Sequence, residues 1–438
     1  MFSSHRSAGI LTCLFFSLLT SSIGGAEERA AKKAWTFLVY LNGNNNLEPY
    51  GYKNMREMEK VGSSDDVNVV VEFAAMSSDK TKKVYIQKND SPYGSDPSTF
   101  HSPVVEEMDR VDMGSSHSFV DFVIWGMQNY PADNYFVILW NHGSGWDKEE
   151  NGGILKGVSY DELSGNHIST NQLADALDEI LRRTGTRINV LGFDACLMNM
   201  YEVADSFSGM VDYLVGSEET IPGEGYPYDG ILNAFYSRDL SKKIPRNLVT
   251  DVVTEYSKSY ANGSHGTQSI TVSGIDLSRL ELVKRRLNHW TEVIQKEMKR
   301  DDLLKAVDKA TVYEDPDNRD LGDYVRLVMN QVTNEENSGN RSRSLTRTND
   351  GVIGASNSLI KAINEAVVEN SDSDKYAHST GLSIYLPLGD GGQYSSWTSD
   401  PDKHDLYVAL KWAKTTEWSG HLDFLFPKTV SGSPTKSK

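Results

Sequence analysis

Four short apolar runs, at 34–41, 67–74, 135–140 and 188–193, are separated by stretches whose apolar residues recur at helical spacing. This alternation limits the fold more than any other feature of the chain. The run at 67–74 is rich in valine, as expected of a strand buried on both faces. Helical spacing marks 47–61, then 115–129 with Phe119, Phe122, Val123 and Trp125 on its apolar side. A third helix opens at Ser169, with Gln172 placed to complete a capping box and Leu173, Leu177, Ile180 and Leu181 to bury. Shorter strands are expected at 84–87, as a hairpin partner, and at 213–215. Strands that alternate with helices build an α/β fold: a mostly parallel sheet sandwiched by helices. Such a sheet gathers ligands at the carboxyl ends of its strands.

Beyond a strand at 269–275 the pattern becomes largely helical, at 280–298, 303–311, 321–332 and 356–369, with a polar loop at 334–349 and a late strand at 381–387. The expected division is a leader at 1–26, a sheet core at 34–275, a mainly helical region at 276–426 and a disordered tail at 427–438. The leader has His5 and Arg6, an apolar centre from Gly9 to Thr20, and small residues ending at Ala26. That is the pattern of a secretory signal peptide, so the chain is expected to be exported: secreted, periplasmic or attached to a cell surface. Ser17, Thr20, Ser21 and Ser22 break the run before it is long enough to span a bilayer. Removing the leader removes Cys13 and leaves Cys196 alone, so no intramolecular disulfide is possible. A net charge of −17 argues against nucleic acid or an anionic membrane as partner, since both need basic patches. The chain is expected to be a monomer without stable membrane insertion.

Two of the strand runs end in residues with chemistry. The run at 135–140 is followed by Asn141-His142-Gly143-Ser144-Gly145-Trp146, and the run at 188–193 by Asp194-Ala195-Cys196-Leu197-Met198. A single cysteine is more often a packed core residue than a nucleophile. Here Asp194, two positions earlier, weighs against a purely apolar setting, because a carboxylate is costly to bury unless it faces a pocket. A single histidine is equally often structural, but Gly143 beside it lets a substrate backbone approach a bare N–H. Both residues lie just past carboxyl ends of strands, where a thiol and a base can be held within reach of each other. Other chemistries lack their motifs. No Gly-Lys-Ser/Thr follows Gly143-Ser144-Gly145, Ser144 is in no nucleophile elbow, and no His-x-x-x-His or Cys-x-x-Cys pair exists for zinc. Asp147, Glu149 and Glu150 read as a solvated loop, with a calcium site as an alternative that no motif supports; no cofactor is required.

These two strings resemble those of the clostripain family of cysteine peptidases, relatives of caspases, legumains and gingipains. Further stretches share the resemblance: an Asn-rich loop at 41–48, the segment 217–228, and the strand at 381–387. The resemblance implies a caspase-like fold and a cysteine endopeptidase acting on peptides or proteins. Cys196 would be its nucleophile and His142 its acid and base, with the N–H groups of Gly143 and Cys196 holding the oxyanion. A helix expected near Met198 would place its positive end beside the thiol. Asp194 matches the family position that lines the S1 pocket, which favours Arg or Lys at P1, and Glu224 is a second candidate wall. The family is also cut between the two motifs, and Lys156-Gly157, within the polar stretch 147–166, is the matching bond. Gly43-Asn44 stands where an acidic residue is expected, which counts against a cation in the first loop. Two alternatives stay open: an inactive peptidase-like binding protein, and an amidase or transpeptidase acting on cell-wall peptide with the same pair.

Overall fold

A computed structural model describes residues 32–146, 157–337, 343–388 and 395–427. The leader, Lys156 and the tail from 428 lie outside the described residues. The chain begins with β1 (Lys33–Gly43), α1 (Glu48–Glu59), β2 (Val67–Ala75), β3 (Lys80–Tyr85) and β4 (Val104–Asp109). Next come α2 (Ser116–Asn129), β5 (Ala132–Trp140), the hairpin of β6 (Gly157–Asp161) and β7 (Asn166–Ser169), α3 (Thr170–Thr184) and β8 (Ile188–Asp194). They are followed by α4 (Tyr201–Ser206), β9 (Val211–Gly216), α5 (Tyr228–Tyr236), α6 (Pro245–Tyr260), a small hairpin of β10 (Ala261–Gly263) and β11 (Gly266–Thr267), and β12 (Thr271–Asp276). The last third contains α7 (Leu280–Glu297), α8 (Arg300–Lys309), β13 (Asn318–Asp320), α9 (Leu321–Asn337), α10 (Arg343–Ala366), β14 (Val367–Asp372) and β15 (Ser383–Tyr385). It closes with four short helices, α11 (Ser396–Ser399), α12 (Pro401–Ala409), α13 (Lys411–Thr415) and α14 (Trp418–Leu425).

Among the described residues the main sheet has nine strands, in the order β14-β12-β9-β8-β5-β1-β2-β3-β4. Its five central strands, from β9 to β2, are parallel, and an antiparallel pair flanks each side. The chain moves one way from β1 to β2 and returns on the other side of β1 at β5, so the order reverses between β1 and β5. Alternate residues of the strands feed two cores. Phe37, Val39 and Leu41 of β1 pack with Met55 and Met58 of α1, Phe235 of α5 and Tyr256 of α6, while Leu38 and Tyr40 face α2, α3 and the C-terminal helices. α3 begins as expected: Ser169 Oγ accepts from the Gln172 amide and Gln172 Oε1 from the Ser169 amide. Gly185 ends it at φ 65°, a conformation glycine adopts without a Cβ clash.

Several elements depart from the sequence reading. The helix expected near Met198 starts at Tyr201, and the residues between are irregular. The loop expected at 334–349 is helical where it is described, through Asn337 and again from Arg343. The helix expected at 356–369 begins at Arg343 and stops at Ala366, where β14 takes over and pairs with β12. The sheet therefore does not end at 275. The late strand is short, Ser383–Tyr385, and pairs with β13 outside the main sheet. Within 147–166, the residues from Gly157 form a hairpin whose first strand is mostly buried, not a loop. No helix among the described residues is long and apolar enough to cross a membrane.

Candidate active site

The register of the parallel strands sets where the two motifs lie. In the ladder between β5 and β8, Trp140 stands opposite Asp194, and the Asn141 amide donates to the Asp194 carbonyl at 3.2 Å. The histidine and cysteine loops thus leave neighbouring strands at the same edge. Gly143 lies directly on the cysteine loop: a Cβ there would stand 2.5 Å from the Cys196 carbonyl oxygen and 3.1 Å from its nitrogen. Only a glycine fits this contact. Leu197, next after the cysteine, has φ 61°, a left-handed backbone that costs a branched side chain about 1–3 kcal/mol.

Cys196 is half-buried, and its Sγ accepts from the Ile221 amide at 3.2 Å. Burial pushes its thiol up from the ordinary value. The Ile221 and Gly143 amides pull it back, and the nearby carboxylates of Asp194 and Glu219 push it further up. Because α4 starts only at Tyr201, the helix expected near Met198 does not set its N-terminus directly after the sulfur. His142 is also half-buried, and burial holds its pKa below the ordinary value although Glu162 opposes this. Its Nε2 lies 2.7 Å from Asn46 Oδ1. A raised thiol and a lowered imidazole are each neutral at neutral pH.

Asp194 is only 4% exposed, so solvent scarcely reaches its carboxylate. The carboxylate accepts from the Tyr226 amide at 3.1 Å and from the Tyr228 hydroxyl at 3.0 Å, and a Cβ on Gly225 would come within 2.8 Å of it. Burial pushes this carboxyl up to about 7, against the pull of those two donors and of His265. His265 in turn meets Glu57 at 3.2 Å. Glu224 has its carboxylate on Lys53 Nζ, and Asn54 Nδ2 donates to its carbonyl at 3.1 Å. The segment 217–228 therefore touches both the thiol, through Ile221, and the Asp194 carboxylate, through Gly225 and Tyr226.

Three contributors were not singled out from the sequence: Asn46, Ile221 and Glu219. Glu219 is buried, accepts through its side chain from the Thr220 and Glu314 amides and the Tyr376 hydroxyl, and accepts through its carbonyl from the Leu197 amide. Leu197, Tyr313 and Tyr376 form a small apolar cluster against which Cys196 packs. The only local signal for Asn46 is its place in a run of asparagines at the end of β1. Of the proposed processing bond, Gly157 begins β6, its amide donating to Ser144 Oγ at 3.1 Å, and Lys156 lies outside the described residues. Among the described residues no group of three or more His, Cys, Asp or Glu side chains is arranged to hold a metal ion.

A sequence profile described as the Clostripain family matches residues 39–423. Clostripain of Hathewaya histolytica is 24% identical over 418 residues, which span 84% of this chain and 77% of that protein. A secreted C11 cysteine protease from Bacteroides thetaiotaomicron, solved with an irreversible peptide inhibitor, superposes with a TM-score of 0.63 at 18% identity, covering 88% of this chain and 99% of that one. An inactive zymogen C11 protease from Parabacteroides distasonis gives 0.61 at 20% identity, with the same coverage.

Proposed function

The chain belongs to the clostripain family of cysteine peptidases, and from that premise we propose that it is an exported endopeptidase that cleaves after Arg or Lys using Cys196 and His142. That it is a cysteine endopeptidase follows from the family; the bond it prefers and the residues that act are this proposal. The observation that bears most on it is the β5–β8 register, with Trp140 opposite Asp194, which sends both loops off one sheet edge.

Both partners start neutral. His142 takes the thiol proton as Sγ attacks the scissile carbonyl, and then gives that proton to the departing amine. Water, activated by the same imidazole, releases the acyl group from sulfur. The Gly143 and Cys196 amides stabilise the oxyanion, which is consistent with how closely Gly143 lies against the Cys196 main chain. A basic P1 side chain pairs with Asp194. Because Gly225 and Tyr226 cover that carboxylate, the segment 217–228 has to yield as the side chain enters. Glu224 joins the wall once the P1 cation displaces Lys53 from it. The secreted relative and the signal-like leader support export.

The expected result is that Cys196→Ala and His142→Ala each abolish cleavage of Arg- and Lys-P1 peptides and leave thermal unfolding nearly unchanged. A variant that kept more than about a hundredth of wild-type activity would remove the pair from its role. A wild type that cuts after acidic or amide side chains would remove the basic preference, and one that cuts nothing would leave the inactive binding protein.

A further inference from the structure

We propose that Asn46 is a positioning residue that fixes the tautomer and orientation of His142. The inference rests on the reading of His142 as the base, and deepens it. The reversal of strand order between β1 and β5 opens a crevice at their carboxyl ends, because the two following connections diverge to opposite faces of the sheet. In that ladder Leu41 stands opposite Trp140. The loop after β1 is therefore brought beside the loop that bears His142, and Asn46 meets the imidazole at 2.7 Å.

Asn46 itself is exposed, yet its main chain is held on both sides. Asn45 Oδ1 accepts from the Leu47 amide at 2.8 Å, and Asn42 Oδ1 from the Asn44 amide at 3.0 Å. Asn42 and Asn45 also donate to the Tyr160 carbonyl, at 3.0 and 3.1 Å, and Asn141, next to the histidine, donates to the Asn42 carbonyl at 2.7 Å. Three asparagines thus anchor the loop and the fourth reaches the imidazole. With Asn46 Oδ1 accepting, Nε2 carries the ring hydrogen and the lone pair stays on Nδ1, the only nitrogen then able to take the thiol proton. Glu162 is the charged group that acts on His142, and it favours the imidazolium whichever nitrogen is bare.

The test compares Asn46→Leu, which keeps the size and loses the acceptor, with Asn46→Asp, which keeps the acceptor and adds charge. For Asn46→Leu, kcat is expected to fall roughly three- to tenfold, the effect of one hydrogen bond, with KM held and the melting curve unchanged. For Asn46→Asp, kcat should stay near wild type, while the acid limb of kcat/KM moves up by about one pH unit as the carboxylate stabilises the imidazolium. Wild-type kcat in Asn46→Leu, or an unmoved acid limb in Asn46→Asp, overturns the inference. If Asn46→Leu does not fold, the Asn46→Asp limb alone decides. Alkylation of Cys196 by iodoacetamide separates the two levels. A wild type that neither cleaves peptides nor alkylates defeats the reading of the site, whereas an active wild type with indifferent Asn46 variants defeats only this inference.

Discussion

The role proposed for Asp194 sets two demands against each other: a neutral carboxyl is what burial favours, and a charged one is what a basic P1 side chain would need. Its carboxyl is pushed up to about 7 by burial, so it loses its proton as pH rises through that value. Only the ionised form attracts a guanidinium, so KM for an Arg-P1 peptide is expected to fall as pH rises from about 6 to 8. KM for the uncharged citrulline counterpart should stay flat. Asp194→Asn should abolish the slope and weaken binding of the Arg transition state by on the order of 2–5 kcal/mol. An Arg-P1 KM that improves toward acid would exclude Asp194 as the partner. Asp194 and Cys196 were readable in the sequence because a strand, an acid and a thiol follow one another within a few residues. Asn46 was not. Its partner lies far along the chain, and only the β1–β5 register, which no local pattern records, brings the two together.

Among the elements, the central parallel strands were legible because they are buried on both faces and read as unbroken apolar runs. The edges were not. β4 is mostly exposed and carries Glu106, Glu107 and Asp109, and β14 is only half-buried with a polar end, so neither offers a strong period. β6 was hidden differently: its glycine and serine look like a loop, yet Gly157 is there because a Cβ would stand 2.0 Å from the Ile168 carbonyl. Val158 bridges to Gly143, so β6 runs alongside the histidine loop itself. This is the element on which the processing proposal depends. N-terminal sequencing of active protein is expected to find a second chain that begins at Gly157 and is absent from Cys196→Ala. Full activity from an uncut Lys156→Ala chain would show that no cut is needed.

At the scale of the whole molecule, buried acids set how stability changes with pH. Burial pushes Glu72 up to about 8, and Asp194 and Glu202 up to about 7, against an unfolded chain in which each ionises near its ordinary value. Between those values the folded state binds more protons than the unfolded one. The stability these groups contribute is therefore complete in acid and is lost as pH rises through 7 to 8. His421 works in the opposite sense: burial lowers its pKa to about 3, so it costs stability below the ordinary histidine value. In Cys196→Ala, which lacks the proposed nucleophile, Tm is expected to be higher at about pH 6 than at about pH 8. A Tm that rises over that interval would contradict the account. A different consequence follows from the partners of Glu219. The carbonyl that receives the Leu197 amide belongs to a residue whose side chain is held by Glu314 and Tyr376, both far downstream. A ribosome delivers the strands that carry the histidine and the cysteine long before it delivers these two residues. The five parallel strands can be in place while the thiol's surroundings still lack their last supports, so the order of synthesis itself puts those supports after the parallel core.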